Sequence, residues 1–194
     1  MEVIGYHCMW IKMRVSILIV SFSLLLCSCF YGSMKGFSSG YDSFKQTNSV
    51  VFIDKSFDEH YQFDNRNIYA LNAITLKNEL KKSNKALVYF WSANCHSNVC
   101  ISPINLQSVC SDRNVELFLI VEYYDEKINE FSNTLKKPVF SINHFFYKTN
   151  YVDSYRKKFT TELTGISDNS NDIYNRYFYF ENGNFIKSMK KPEF

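Results

Sequence analysis

The run Ala86-Leu-Val-Tyr-Phe-Trp91, followed at once by Ser92-Ala-Asn94 and Cys95, constrains this chain more than any other stretch. Six consecutive apolar or aromatic residues predict a short strand buried on both faces. Ser92-Ala-Asn94 ends that strand, and Cys95 stands where a helix is expected to begin. A cysteine there would face unpaired backbone N–H groups and the positive end of a helix dipole, both of which favour thiolate over thiol. His96, if protonated, would act in the same direction. Strand, turn, cysteine and helix in this order describe a site rather than a packing element.

The residues around this junction resemble the thioredoxin superfamily. The family pattern is a strand ending in Phe-Trp-Ala-x-x-Cys, then a helix interrupted by a proline eight residues after the cysteine. Phe90-Trp91-Ser92-Ala93-Asn94-Cys95 fits without a gap, and Pro103 falls at the eighth residue. Tyr177-Phe-Tyr-Phe-Glu-Asn-Gly-Asn-Phe-Ile186 is similar to the family's last two strands around an Asn-Gly turn. The resemblance spans residues 65–189 and implies an α/β fold, a thioredoxin-like mixed sheet flanked by helices. It also implies a redox-active cysteine at Cys95, with Trp91 beside it. Three family positions carry other residues. Asn98 stands at the second cysteine of Cys-x-x-Cys, Tyr89 at the buried acid that assists proton transfer, and Asn175 at the cis-proline that faces the site. Trp91 and Asn175 are therefore the expected substrate-contacting positions.

Ahead of this domain, Lys12 and Arg14 precede Val15–Leu26, an apolar run too short to span a bilayer comfortably. A basic region, a short apolar region and a small residue before a cleavage point make a signal peptide. Its end, Leu26-Cys27-Ser28-Cys29, resembles the bacterial lipobox, which implies acylation of Cys29 after removal of residues 1–28. An ordinary signal peptide or a membrane anchor is the alternative. Met13 opens a more typical signal than Met1, so the start codon is open between them. Residues 29–49, with Gly32, Gly36 and Gly40 among Ser, Lys, Tyr and Asn, read as a flexible tether. Residues 50–194 are the expected domain. The expected location is the cell envelope, with the domain lipid-anchored to a bacterial membrane and facing the periplasm.

Of the six cysteines, only Cys95, Cys100 and Cys110 then remain as thiols in an oxidising compartment. All three fall within sixteen residues, which favours chemistry over stapling a core. A net charge of +3, evenly spread, argues against nucleic acid as partner. No phosphate loop, nucleotide fingerprint or internal repeat is present, and no cofactor is expected. Aromatic residues make up 18% of the chain, which suits a β-rich core.

The remaining elements are read from pattern. Val50–Phe57 is an edge strand; Ile68–Ser83 is a helix, with Leu71, Ile74 and Leu80 near helical spacing and Asp64-Asn-Arg-Asn67 as capping residues. Val115–Tyr123 is a second buried strand, Glu126–Lys136 a helix, Pro138–Ile142 a short strand, and Val152–Thr164 a helix ending at Gly165. Asp168–Asn175 leads into the hairpin, whose Asn182-Gly183 is a strong two-residue turn signal.

Cys95 and Cys100 are five residues apart. In an unbroken helix that spacing puts the side chains about 140° apart, with Cα atoms roughly 8 Å from each other. A disulfide needs about 7 Å or less. The pair can close only where the first turn is non-helical or unwinds. The leading reading is a thiol–disulfide oxidoreductase in which Cys95 is the nucleophile, Cys100 the resolving thiol and His96 a tuner of the thiolate. Its partners would be protein thiols and disulfides or a small-molecule oxidant. Two alternatives stand beside it. A thioredoxin-fold lipoprotein could have lost catalysis and act by binding. The Cys-x4-Cys spacing also resembles one-helix atypical peroxiredoxins, with Ser92 three residues before Cys95, but Val88 replaces their proline and the sequence assigns no arginine to a peroxide pocket, Arg156 and Arg176 being candidates without a signal. Cys95, His96, Cys100, Cys110 and His144 could be drawn as a zinc site, but adjacent ligands in this register are not a tight spacing, and no metal is expected. Cys110, ten positions beyond Cys100, is expected to be a core cysteine.

Overall fold

A computed structural model describes residues 35–53, 63–95, 97 and 99–193. The signal segment, Cys29, His96 and Asn98 lie outside the described residues. The chain forms an α/β fold: a mixed sheet of seven strands flanked by helices. The elements are α1 (Tyr41–Phe44), β1 (Val50–Phe52), β2 (Ile68–Leu71), α2 (Ala73–Leu80), β3 (Lys85–Trp91), α3 (Pro103–Asp112), β4 (Glu116–Val121), β5 (Phe140–Ile142), α4 (Val152–Thr164), β6 (Tyr177–Glu181) and β7 (Asn184–Met189). The strand order is β1-β2-β5-β4-β3-β6-β7. The first five in that order run parallel; β6 pairs antiparallel with β3, and β7 with β6.

Alternation along each strand sends side chains to two separate cores. On β3, Ala86, Val88 and Phe90 pack with Leu76 and Leu80 of α2 and with Tyr155, Phe159 and Leu163 of α4. Leu87 and Tyr89 face the other way, onto Leu106 and Cys110 of α3. With both faces covered, β3 and β4 need the near-continuous apolar runs seen in the sequence.

From Val152 onward the chain follows expectation closely. Helix α4 occupies the residues predicted for it, and Gly165 ends it with φ 78°. Asn182 and Gly183 both take positive φ, 49° and 77°, the geometry that a tight hairpin turn requires. Two other elements differ. Ile68–Leu71, expected as the first turn of a helix, is a strand with all four side chains buried. An Ile-Tyr-Ala-Leu run with both faces covered between β1 and β5 is better served by sheet pairing, and the helix starts only after Asn72. The Asn72 side chain accepts the Thr75 N–H at 2.9 Å, and Ile74, expected on the apolar face, is exposed. Glu126–Lys136, expected as one helix, forms two 3-10 turns, Glu126–Glu130 and Ser132–Thr134, interrupted at Phe131 (φ −132°).

Within the stretch read as tether, residues 35–49 lie on the domain. The Ser39 N–H donates to the Asn150 carbonyl at 3.0 Å, and the Tyr124 N–H donates to the Ser39 carbonyl at 2.7 Å. The Phe44 ring stacks on Tyr124 with centroids 5.4 Å apart. The glycines suggested mobility, but the interleaved Tyr41 and Phe44 supply apolar surface that seats the segment. Gly40 is what lets it pass: φ is 71°, and a Cβ there would stand 2.6 Å from the Tyr124 carbonyl oxygen. Gly40→Ala should therefore destabilise the protein by more than about 1 kcal/mol, read as a lower urea midpoint with unchanged slope. An unaltered midpoint would mean that this lead contributes nothing to the fold.

Candidate functional site: a disulfide loop at the end of the central strand

Cys95 and Cys100 are disulfide-bonded, with Cα atoms 5.9 Å apart. They are brought within reach because the described residues between them, Ser97 and Val99, are not helical. Helix α3 begins at Pro103, eight residues after Cys95, and this corrects the expectation that Cys95 opens a helix. The cause is local. A proline disfavours helical backbone in the residue before it, and Ser102 is accordingly extended (φ −56°, ψ 132°). Pro103 itself suits the first helical position, where its missing N–H costs nothing. The proline starts the helix rather than interrupting it, so the dipole argument for a Cys95 thiolate does not apply.

The loop is held from below by two tyrosines. Tyr89 of β3 and Tyr177 of β6 are paired strand residues, and their rings stack at 4.6 Å with planes 8° apart. Tyr89 donates its hydroxyl proton to the Ile101 carbonyl at 3.0 Å, and Tyr177 donates to the Val99 carbonyl at 2.6 Å. Tyr89, read from sequence as core where an acid is absent, is thus both core and a clamp on the loop. On the Cys95 side, the Asn94 N–H donates to the Tyr123 hydroxyl oxygen at 3.0 Å, and Lys127 donates to the Ala93 carbonyl at 3.1 Å. Ser97 lies between the sulfurs, its Oγ 3.7 Å from Cys95 Sγ and 3.4 Å from Cys100 Sγ. A bonded disulfide has no S–H, so the serine hydroxyl is the donor in these contacts. No sequence signal singled out Ser97, Tyr123, Tyr177 or Lys127.

Both cysteines are half-buried, while Cys110 is buried in α3. Burial pushes the Cys110 thiol up to about 12, with Arg113 opposing weakly. That is the core cysteine expected from spacing. Trp91 is half-buried with its ring edge against Phe131, centroids 4.8 Å apart. Asn175 is buried; its side-chain amide donates to Ser188 Oγ at 2.8 Å and to Asp172 at 3.2 Å. Asn175 and Arg176 nevertheless share with Val99 of the disulfide loop an open groove of about 410 Å³. His144 is buried among Tyr41, Phe145 and Tyr155, and burial lowers its pKa. Among the described residues, no three His, Cys, Asp or Glu side chains converge as a metal would require.

The two arginines raised for a peroxide pocket instead converge on a buried carboxylate. Glu122, one residue past β4, has Oε1 3.0 Å from Arg156 Nε and Oε2 3.6 Å from Arg176 Nη1. Arg176 also donates to the Phe90 carbonyl at 3.0 Å, and Arg156 donates to the carbonyls of Tyr174 and Asn175 at 3.2 and 3.0 Å. This cluster fixes the segment before β6 against the end of β3, so that the groove and the disulfide loop keep their relation.

No family model, curated protein or solved structure matches the chain.

Two measurements test this description. Tyr177→Phe keeps the ring stack but removes the donor to Val99; it should cost about 1 kcal/mol in denaturant unfolding and speed amide exchange in the loop. Second, burial raises the pKa of Tyr89, Tyr124 and Tyr155 above the ordinary 10.0, as it raises Cys110 above 9.0. The folded state then holds protons that the unfolded chain gives up, so this stabilisation is complete below about pH 9 and is lost as pH rises. Urea midpoints should be level from pH 7 to 9 and fall steeply above pH 10, with the buried tyrosines' share of the tyrosinate absorbance appearing together with unfolding.

Proposed function

We propose that the protein is a membrane-anchored thiol–disulfide oxidoreductase of thioredoxin-like character, working in the cell envelope through Cys95 and Cys100. The observation that carries this reading is the bonded pair itself, half-buried in a non-helical loop at the carboxyl end of the central strand. Ends of parallel strands are where open α/β sheets place their sites. The resemblance of Phe90–Cys95 to the thioredoxin pattern, and of Cys29 to a lipobox cysteine, supports the same reading from sequence.

In the reducing direction, the Cys95 thiolate attacks one sulfur of a substrate disulfide, forming a mixed disulfide and releasing the first substrate thiolate. The Cys100 thiolate then attacks Cys95 Sγ. The mixed disulfide breaks, the second substrate thiolate leaves and takes a proton from water, and the Cys95–Cys100 disulfide is formed. The substrate gains two electrons and the protein loses two. Run backwards, the same steps oxidise a substrate dithiol. The Ser97 hydroxyl, within reach of both sulfurs, is placed to hydrogen-bond whichever carries negative charge. Tyr89 stands where a buried acid would assist, so proton transfer falls to water, or to His96 if its ring reaches the sulfurs.

The test is an equilibrium series across glutathione redox potentials, followed by disulfide exchange with a model protein disulfide. A reversible Cys95–Cys100 couple is expected, Cys95→Ser should abolish exchange, and Cys100→Ser should accumulate a mixed disulfide at Cys95. Three thiols that never pair at any potential, or exchange unaffected by Cys95→Ser, would overturn the reading in favour of a binding protein. Peroxide-dependent sulfenic acid at Cys95, without exchange, would favour a peroxidase.

A further inference from the structure

The lead Lys35–Phe44 crosses the edge of the sheet at which β3, β4 and β5 all end. The Val152 N–H donates to the Phe37 carbonyl at 3.0 Å, and the Phe37 ring stands edge-on to Tyr151 at 5.1 Å. Gly36 lies on the ring of Tyr123, where a Cβ would be 3.2 Å from Cε1. That is the tyrosine whose hydroxyl holds Asn94 at the start of the disulfide loop. From Asn150 a groove of about 390 Å³ continues past Lys148 to Tyr41 and Phe145.

Along this edge, three rings are turned to solvent to an extent rare for aromatic side chains: Phe37 and Phe145 are each 58% exposed and Tyr151 57%. Phe146, beside them in sequence, is exposed as well. One exposed ring, Tyr174 at 45%, and the exposed aliphatic side chains stand elsewhere: Ile74 on α2, Ile104 and Val109 on α3, and Ile186 on β7. Exposed aromatics gathered along one edge, with Phe145 lining the groove, mark a docking surface.

The position of the lead decides what covers it. Lys35 follows Cys29 by six residues, a span of at most about 20 Å even fully extended. An acyl chain on Cys29 would therefore keep this edge within about 20 Å of a bilayer. Aromatic rings favour the interfacial layer between headgroups and acyl chains. Lys148, exposed on the groove, adds attraction to lipid phosphates, whereas Lys35 is paired with Asp125 at 3.3 Å and Asp42 with Lys45 at 2.6 Å.

We propose that this edge is the face the domain lays on the phospholipid bilayer, with Phe37, Phe145 and Tyr151 seated in the headgroup region. The inference rests on the acylation of Cys29 proposed above. It goes beyond anchoring, because it fixes an orientation: the disulfide loop, joined to the lead through Tyr123, works at the membrane side of the domain.

The test uses the processed, acylated chain, residues 29–194, in vesicles of phosphatidylethanolamine and phosphatidylglycerol. Phe37→Trp and Phe145→Trp report on the proposed face, and Ile186→Trp, on β7 at the far edge of the sheet, is the control. Each is read against the unsubstituted chain to remove the Trp91 signal. Lipids brominated near the headgroup end of the acyl chain should quench the 37 and 145 probes at least twofold more than the 186 probe. Equal quenching at all three positions, or none at 37 and 145, overturns the orientation, the second result leaving the face for a protein partner. Mass spectrometry of the N-terminal peptide separates the two ideas. Quenching retained on a chain with unmodified Cys29 keeps the docking face and removes the anchor; an acylated Cys29 without quenching at 37 and 145 keeps the anchor and removes the face.

Discussion

Strand β3 has no free edge and no free face. Its backbone is paired with β4 on one side and β6 on the other, and its side chains are divided between two cores. A strand so enclosed cannot shift register without sending an apolar set into the wrong core. Its carboxyl end is therefore a fixed point, and the disulfide loop is placed from it. The tyrosine pair beneath the loop follows from the same register, because Tyr89 and Tyr177 are direct cross-strand partners. The Glu122 cluster works at the same end on the opposite face. One carboxylate shared by two guanidinium groups joins β4, α4 and the segment entering β6.

Pro103 determines what the loop can be. It sets the first residue of α3 and keeps Ser102 extended, which leaves the described residues from Cys95 to Ser102 outside any helix. Cysteines five apart, incompatible with a disulfide on a helix, become compatible in that loop. Spacing and backbone conformation together, rather than the motif alone, make the pair.

Much of this was legible in the residues. The two buried strands, helix α4 with Gly165, and the Asn182-Gly183 hairpin each carry a local signal strong enough to stand without tertiary context. Ile68–Leu71 was not legible as strand, because Leu71, Ile74 and Leu80 happen to fall near a helical period while burial on both faces is invisible in a four-residue run. The packed lead was hidden behind its glycines, which serve close approach to Tyr123 and Tyr124 rather than mobility. At the site, the cysteines were readable from composition and place. The residues that hold their loop were not, because Tyr123, Tyr177 and Lys127 come from distant parts of the chain and meet only once the sheet is formed. Even the role of Pro103 was present in the sequence; reading it as an interruption rather than a start misplaced the helix.

The disulfide closes a very small ring, with four residues between its cysteines. In the chain-entropy picture a ring of that size restrains the unfolded chain by only about 2 kcal/mol, well short of what a bridge between distant elements gives. The two cores beneath it share no covalent link with it. Opening the bond therefore changes a local loop and leaves the sheet to its own packing. In the proposed oxidoreductase, electrons would enter and leave such a pair without the domain having to refold between turnovers, a separation of redox state from folding that a stapling disulfide does not provide.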